Sequence, residues 1–97
     1  MKLVILPEAQ EELRQAAEFY IEQANVELGE AFLTEFERSA LALLVSPHIG
    51  VIWRSGTRRF SLHRFPYNVI YQIKPDLLRV IAVAHQSRRP GYWVGRK

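Results

Sequence analysis

The stretch from Arg58 to Trp93, RRFSLHRFPYNVIYQIKPDLLRVIAVAHQSRRPGYW, leaves few ways to fold. It reads as three extended segments, Arg58 to Phe65, Asn68 to Lys74 and Leu77 to His85. Pro66-Tyr67-Asn68 and Lys74-Pro75-Asp76 separate them. Proline is poor inside a strand, and Pro, Asn and Asp suit turns, so both separators are tight turns. Links this short force antiparallel neighbours, because a parallel crossover needs a dozen or more residues. The stretch is therefore a β-meander, and a cluster of His, Arg, Tyr and Trp follows its last strand.

The remainder must cover that meander. Lys2 to Leu6 is a short apolar strand. Pro7 suits the first turn of a helix, and Glu8, Glu11 and Glu12 favour a helix N-terminus electrostatically. Leu13, Ala16, Ala17, Tyr20 and Ala24 form one apolar stripe, with most of the Glu residues off it. Asn25 and Gly29 mark a break. A second stripe, Phe32, Phe36, Ala40, Leu43 and Leu44, stops at Ser46-Pro47, since proline disfavours helix in the residue before it. Two helices joined so closely are antiparallel, and each stripe needs a sheet face. His48 to Thr57 is a loop with a short strand around Val51-Ile52-Trp53, and Trp53 is expected to anchor it in the core. The fold class is α+β: an N-terminal strand, an antiparallel helical hairpin, then a mainly antiparallel β-meander, in one domain over residues 1–97.

Period two sorts the meander's faces. Phe60 and Leu62 alternate with Arg59, Ser61 and His63. Val69, Tyr71 and Ile73 alternate with Asn68, Ile70 and Gln72. Val80, Ala82 and Ala84 alternate with Arg79, Ile81, Val83 and His85. The apolar face should receive the helices, and the mixed face is the expected working surface.

The net charge of +3 conceals an asymmetry. Residues 1–37 carry nine acids against Lys2 and Arg14, a net of −7, whereas residues 38–97 carry eleven bases against Asp76, a net of +10. An exposed basic half would attract nucleic acid or an acidic peptide; the alternative is that acidic helices and basic sheet attract each other. The chain has no cysteine, hence no disulfide or thiolate chemistry. MKLVIL is interrupted too early for a signal peptide, and no run is long enough to span a membrane, so a cytoplasmic location is expected. No pair of the three histidines has ligand spacing, so neither a metal nor another cofactor is expected.

The order strand, helix, helix, three strands resembles the RelE/ParE superfamily of toxins from bacterial toxin–antitoxin modules. The resemblance is carried by RRFSLHRFPYNVIYQI and by LLRVIAVAHQSRRPGYW with its trailing Arg96. The most specific part, His85-x-x-Arg88-Arg89-Pro90-x-Tyr92-Trp93, looks like a ParE-type signature. The resemblance implies a small toxin neutralised by a cognate antitoxin, expected to be acidic and partly disordered.

Two mechanisms follow from the resemblance. RelE-like members cut mRNA in the ribosome; ParE-like members poison DNA gyrase. Metal-free RNA cleavage needs a base, phosphate-binding cations and an acid. His85, Arg59, Arg88 and Tyr92 are the candidates for those roles. RelE-like enzymes carry lysines before the meander, but residues 38–57 contain only Arg38 and Arg54. Gln86 stands where RelE itself has an arginine. The ParE-like branch is therefore favoured, with Arg58, Arg59, Arg88, Arg89, Tyr92, Trp93 and Arg96 as candidate target or nucleic-acid contacts. A non-toxic RNA-binding or antitoxin-binding module is the third reading, in which the aromatics among the arginines would stack bases. A plainer reading of the tail makes Tyr92 and Trp93 a lid on the sheet and Arg88-Arg89 a basic turn.

Overall fold

A computed structural model describes all residues from Met1 to Lys97. The elements are β1 (Lys2–Ile5), α1 (Pro7–Gln23), α2 (Val26–Val45), β2 (Val51–Ile52), β3 (Arg58–Ser61), β4 (Tyr67–Ile73) and β5 (Leu77–His85). The sheet has the order β1-β5-β4-β3-β2. β1 runs parallel to β5, and every other neighbour is antiparallel. The expected meander is therefore present, and β1 extends it at the β5 edge.

Local chemistry sets the boundaries. α1 begins at Pro7, whose missing N–H costs nothing in a first turn. Asn25 caps α2 by accepting a hydrogen bond from the Leu28 N–H at 2.8 Å. Gly29 belongs to the first turns of α2, not to the break. A β-carbon there would lie 2.4 Å from Ile21 Cγ1 and 2.9 Å from the Ala17 carbonyl, so glycine lets the two helices approach. β3 ends at Ser61, four residues earlier than Phe65. Arg64 takes a left-handed φ of 84° and turns the chain, while Leu62 and Phe65 fold back into the core from the turn.

Leu13, Ala16, Ala17 and Tyr20 of α1, with Phe32, Phe36, Ala40 and Leu43 of α2, pack on Val69, Tyr71, Leu78, Val80 and Val83. Ala24 is exposed at the end of the first stripe. The strict alternation expected along β5 does not hold. Ile70 pairs with Ala82 but Tyr71 pairs with Val80, so Ile81 is an extra residue in a β-bulge. The bulge inverts the parity beyond it. Val80 and Val83 both meet the helices, while Ile81, Ala82 and Ala84 join Leu6, Ile70 and Trp93 in a second core on the other face. That face is not an open mixed surface; half of it is a small core under the C-terminal segment.

Tyr71 fastens the chain between α2 and β2. Its buried hydroxyl donates to the Pro47 carbonyl at 2.6 Å and accepts from the Gly50 N–H at 3.0 Å. Tyr71→Phe keeps the packing but strands both backbone groups. It is expected to cost about 1–3 kcal/mol, read from the denaturant midpoint.

The candidate functional site: an arginine and aromatic surface

β1 stops at Ile5, and its last tie to β5 is the Leu6 N–H to the Val80 carbonyl at 3.0 Å. From Ile81 onward β5 has no strand on that side. Buried backbone groups without partners are costly, and side chains take up the duty here. Glu12 lies three residues after Ala9 and four before Ala16, both buried, so it points inward from α1. Its Oε1 accepts from the Val83 N–H at 3.0 Å and from Arg96 at 2.9 Å. Its Oε2 accepts from the Tyr92 hydroxyl at 2.6 Å and from Arg96 at 2.9 Å. Arg96 also donates to the Ile81 carbonyl at 3.1 Å. Burial, and then the bond to Glu12, push the Tyr92 hydroxyl above its ordinary range. The bond to Glu12 raises Arg96 in turn.

The segment after β5 is thus clasped to α1. Gln86 N–H donates to the Pro66 carbonyl at 2.8 Å, which starts the segment. Gly91, at a φ of 86°, turns it, and Trp93 drops into the second core with 3% of its surface exposed. A β-carbon on Gly91 would sit 3.6 Å from Arg54 Cδ, so the segment reaches the loop after β2. There the Arg59 guanidinium lies 4.2 Å and that of Arg54 5.3 Å from the Trp53 ring centre. Trp53 is half-buried against the second core rather than enclosed. The Arg88 guanidinium lies 3.7 Å from the Tyr92 ring centre, and that of Arg96 lies 5.1 Å from it.

The candidate residues divide into two groups. Trp93 is buried, and Tyr92 and Arg96 are engaged by Glu12, so all three hold the tail down instead of facing outward. Arg58 is turned to the helix side, where it donates to the carbonyls of His48 and Gly50 at 3.2 and 2.8 Å. Arg59, Arg88 and Arg89 reach the surface, and so does Arg54, which the sequence reading did not single out.

Of the four residues considered for RNA cleavage, His85 and Arg88 line one cleft with Glu12, Tyr92 is bonded to that Glu12, and Arg59 stands apart. His85 packs edge-on against Tyr67 at 5.0 Å on the helix side, and its Nδ1 accepts from the Ser87 N–H at 3.0 Å. Arg59 lies on the other face, over Trp53. The raised Tyr92 hydroxyl is a weaker acid than usual and is already spent on Glu12. No three His, Asp or Glu side chains come together as a metal would require.

Residues 3–90 match the family described as ParE toxin of type II toxin-antitoxin system, parDE. The chain belongs to the ParE toxin family. A solved chain described as a chromosomal ParDE TA system from P. aeruginosa has the same fold, at a TM-score of 0.78 and 16% identity. That match covers 88% of this chain and 95% of the other. No curated protein matches by sequence. As a ParE-family chain it is a toxin of the type II class, and none of its helices is long and apolar enough to cross a membrane.

Proposed function

We propose that this toxin acts in the cytoplasm by poisoning DNA gyrase, and that a cognate antitoxin neutralises it. The observation that carries the choice of target is the Tyr92 hydroxyl, which donates to Glu12 at 2.6 Å. His85 and Arg88 share a cleft, but the acid beside them is already engaged and Arg59 lies on the other face, so the set that RNA cleavage needs is incomplete. The antitoxin reading is supported by apolar surface outside both cores. Phe19, Ile21, Val26 and Leu33 are exposed on the hairpin, and Leu41 and Val45 near the end of α2. Apolar surface of this kind marks partner sites. A disordered antitoxin segment folding over it would offset its ordering entropy with contact area.

Induction in a bacterium is expected to stop growth, with plasmid DNA recovered cleaved or relaxed. Intact supercoiling with shortened mRNA would overturn the gyrase target in favour of mRNA cleavage. His85→Ala separates the two in a second way. A nuclease would lose about 10²-fold or more of its activity with its base, whereas growth arrest by the gyrase route should persist.

A further inference from the structure

We propose that the chain itself binds the phosphate backbone of duplex DNA, through Arg54, Arg59, Arg88 and Arg89. The proposal goes beyond the gyrase reading, because the contact is a property of this chain alone.

The four side chains come from three separate segments that are in contact through Trp53 and Gly91, and Arg88 also lines the cleft with Glu12, Phe19 and His85. Arg54 and Arg59 share the Trp53 ring, Arg54 also touches the tail at Gly91, and Arg88 and Arg89 precede that glycine. None of the four makes an ion pair, since those of the molecule belong to Arg14, Arg38 and Arg96, and the Glu12 that shares a cleft with Arg88 is already engaged by Arg96, Tyr92 and Val83. Nine of the ten acids lie in α1 and α2, and Asp76 is at the far end of β5 from Arg88. The bland alternative, in which the basic half is neutralised by the acidic helices, therefore fails for these four.

Arg59 and Arg88 are half-exposed and exposed, and each is held against an aromatic ring. A guanidinium lying over a ring keeps its in-plane N–H groups free, and the ring limits the rotamers lost on binding. Its remaining fork matches a phosphate. The same stacking argues against single strands. Base stacking needs an open aromatic face, but Trp53 and Tyr92 already carry guanidinium groups and Trp93 is buried. An acidic protein partner is the competing occupant, since the exposed Val51 is paired with Arg59 across the strands and Phe19 lines a cleft with Arg88. Such a partner would rest on those apolar anchors and leave a DNA titration without binding. Phosphate recognition needs only spaced cations.

The test is fluorescence anisotropy of a short labelled duplex of mixed sequence, titrated with the purified chain. If all four arginines neutralise phosphates, log K against log salt should fall with a slope of roughly −3.6, so affinity drops about a hundredfold between about 50 and 200 mM salt. Arg59→Gln and Arg88→Gln should each reduce the slope by about 1 and weaken all sequences alike. Arg14→Gln, on the helix side and already paired with Glu11 and Glu18, should change neither. Circular dichroism must show each variant folded. The proposal is overturned by no binding at low salt, by slopes indifferent to Arg59 and Arg88, by equal loss in Arg14→Gln, or by tighter binding to the single strand. No gyrase is present in the assay, so failure here leaves the gyrase reading intact, and plasmid topology tests that separately.

Discussion

Glu12→Ala should destabilise the fold by about 3–5 kcal/mol, seen as a lower denaturant midpoint with an unchanged slope. Two effects set the size. The substitution leaves the Arg96 guanidinium, 17% exposed, without its counter-charge. It also strands the Val83 N–H and the Tyr92 hydroxyl, which have no other partner. Removing one member of such a group costs the desolvation of every partner left behind, which exceeds the net worth of the interaction itself. Glu12→Gln should lose less, because one oxygen still accepts, though its amide directs two N–H donors towards a guanidinium that has only donors. Glu11→Ala is the control. Glu11 is exposed and its pair with Arg14 is solvated, so the midpoint should stay where it is. A wild-type midpoint for Glu12→Ala would refute the clasp.

The element order was legible because punctuation and period agreed. Pro47, Pro66 and Pro75 broke the chain outside the α-helices and strands, although Gly29 did not, and the two helical stripes returned as the helix side of the main core. The bulge at Ile81 was not legible. β5 is buried on both faces for five consecutive residues, so VIAVA carries no polar residue to reveal a slip in parity. Without the bulge, neither the inward turn of Val83 nor the alanine-floored bed for Trp93 could be placed. Arg58 is a different case. Period two puts it on the same side as Phe60, so its turn towards His48 and Gly50 was readable and its grouping with Arg59 ignored the rule. Glu12 was half-readable. Its spacing from Ala9 and Ala16 marks an inward position, but Tyr92 lies 80 residues away, and no local signal joins the two. Glu35 repeats the lesson on α2. It is buried between Phe32 and Ser39, where it accepts from the His63 N–H at 3.2 Å in the turn after β3.

Trp93→Ala should cost about 3–5 kcal/mol, the usual loss when a large buried aromatic is deleted. Its side chain fills the bed made by Leu6, Ile70, Ile81, Ala82 and Ala84, and three of those five sit on β5 itself. Small neighbours close poorly over a vacancy of that size, so the upper part of the range applies. The loss should be visible locally before the domain unfolds. Trypsin is expected to cut faster after Arg88 and Arg96, because the segment beyond His85 is no longer pinned. The double variant Glu12→Ala with Trp93→Ala decides whether the segment behaves as one unit. If Glu12 and Trp93 hold the same piece of chain, losing either frees it and the second substitution removes little more. The double variant should then be more stable than the summed losses by about 1–3 kcal/mol. Strict additivity would mean that the two anchors act on separately ordered pieces. In that case the arginines between them would not be held as one surface, and Arg88 would be expected to contribute to DNA binding less than Arg59.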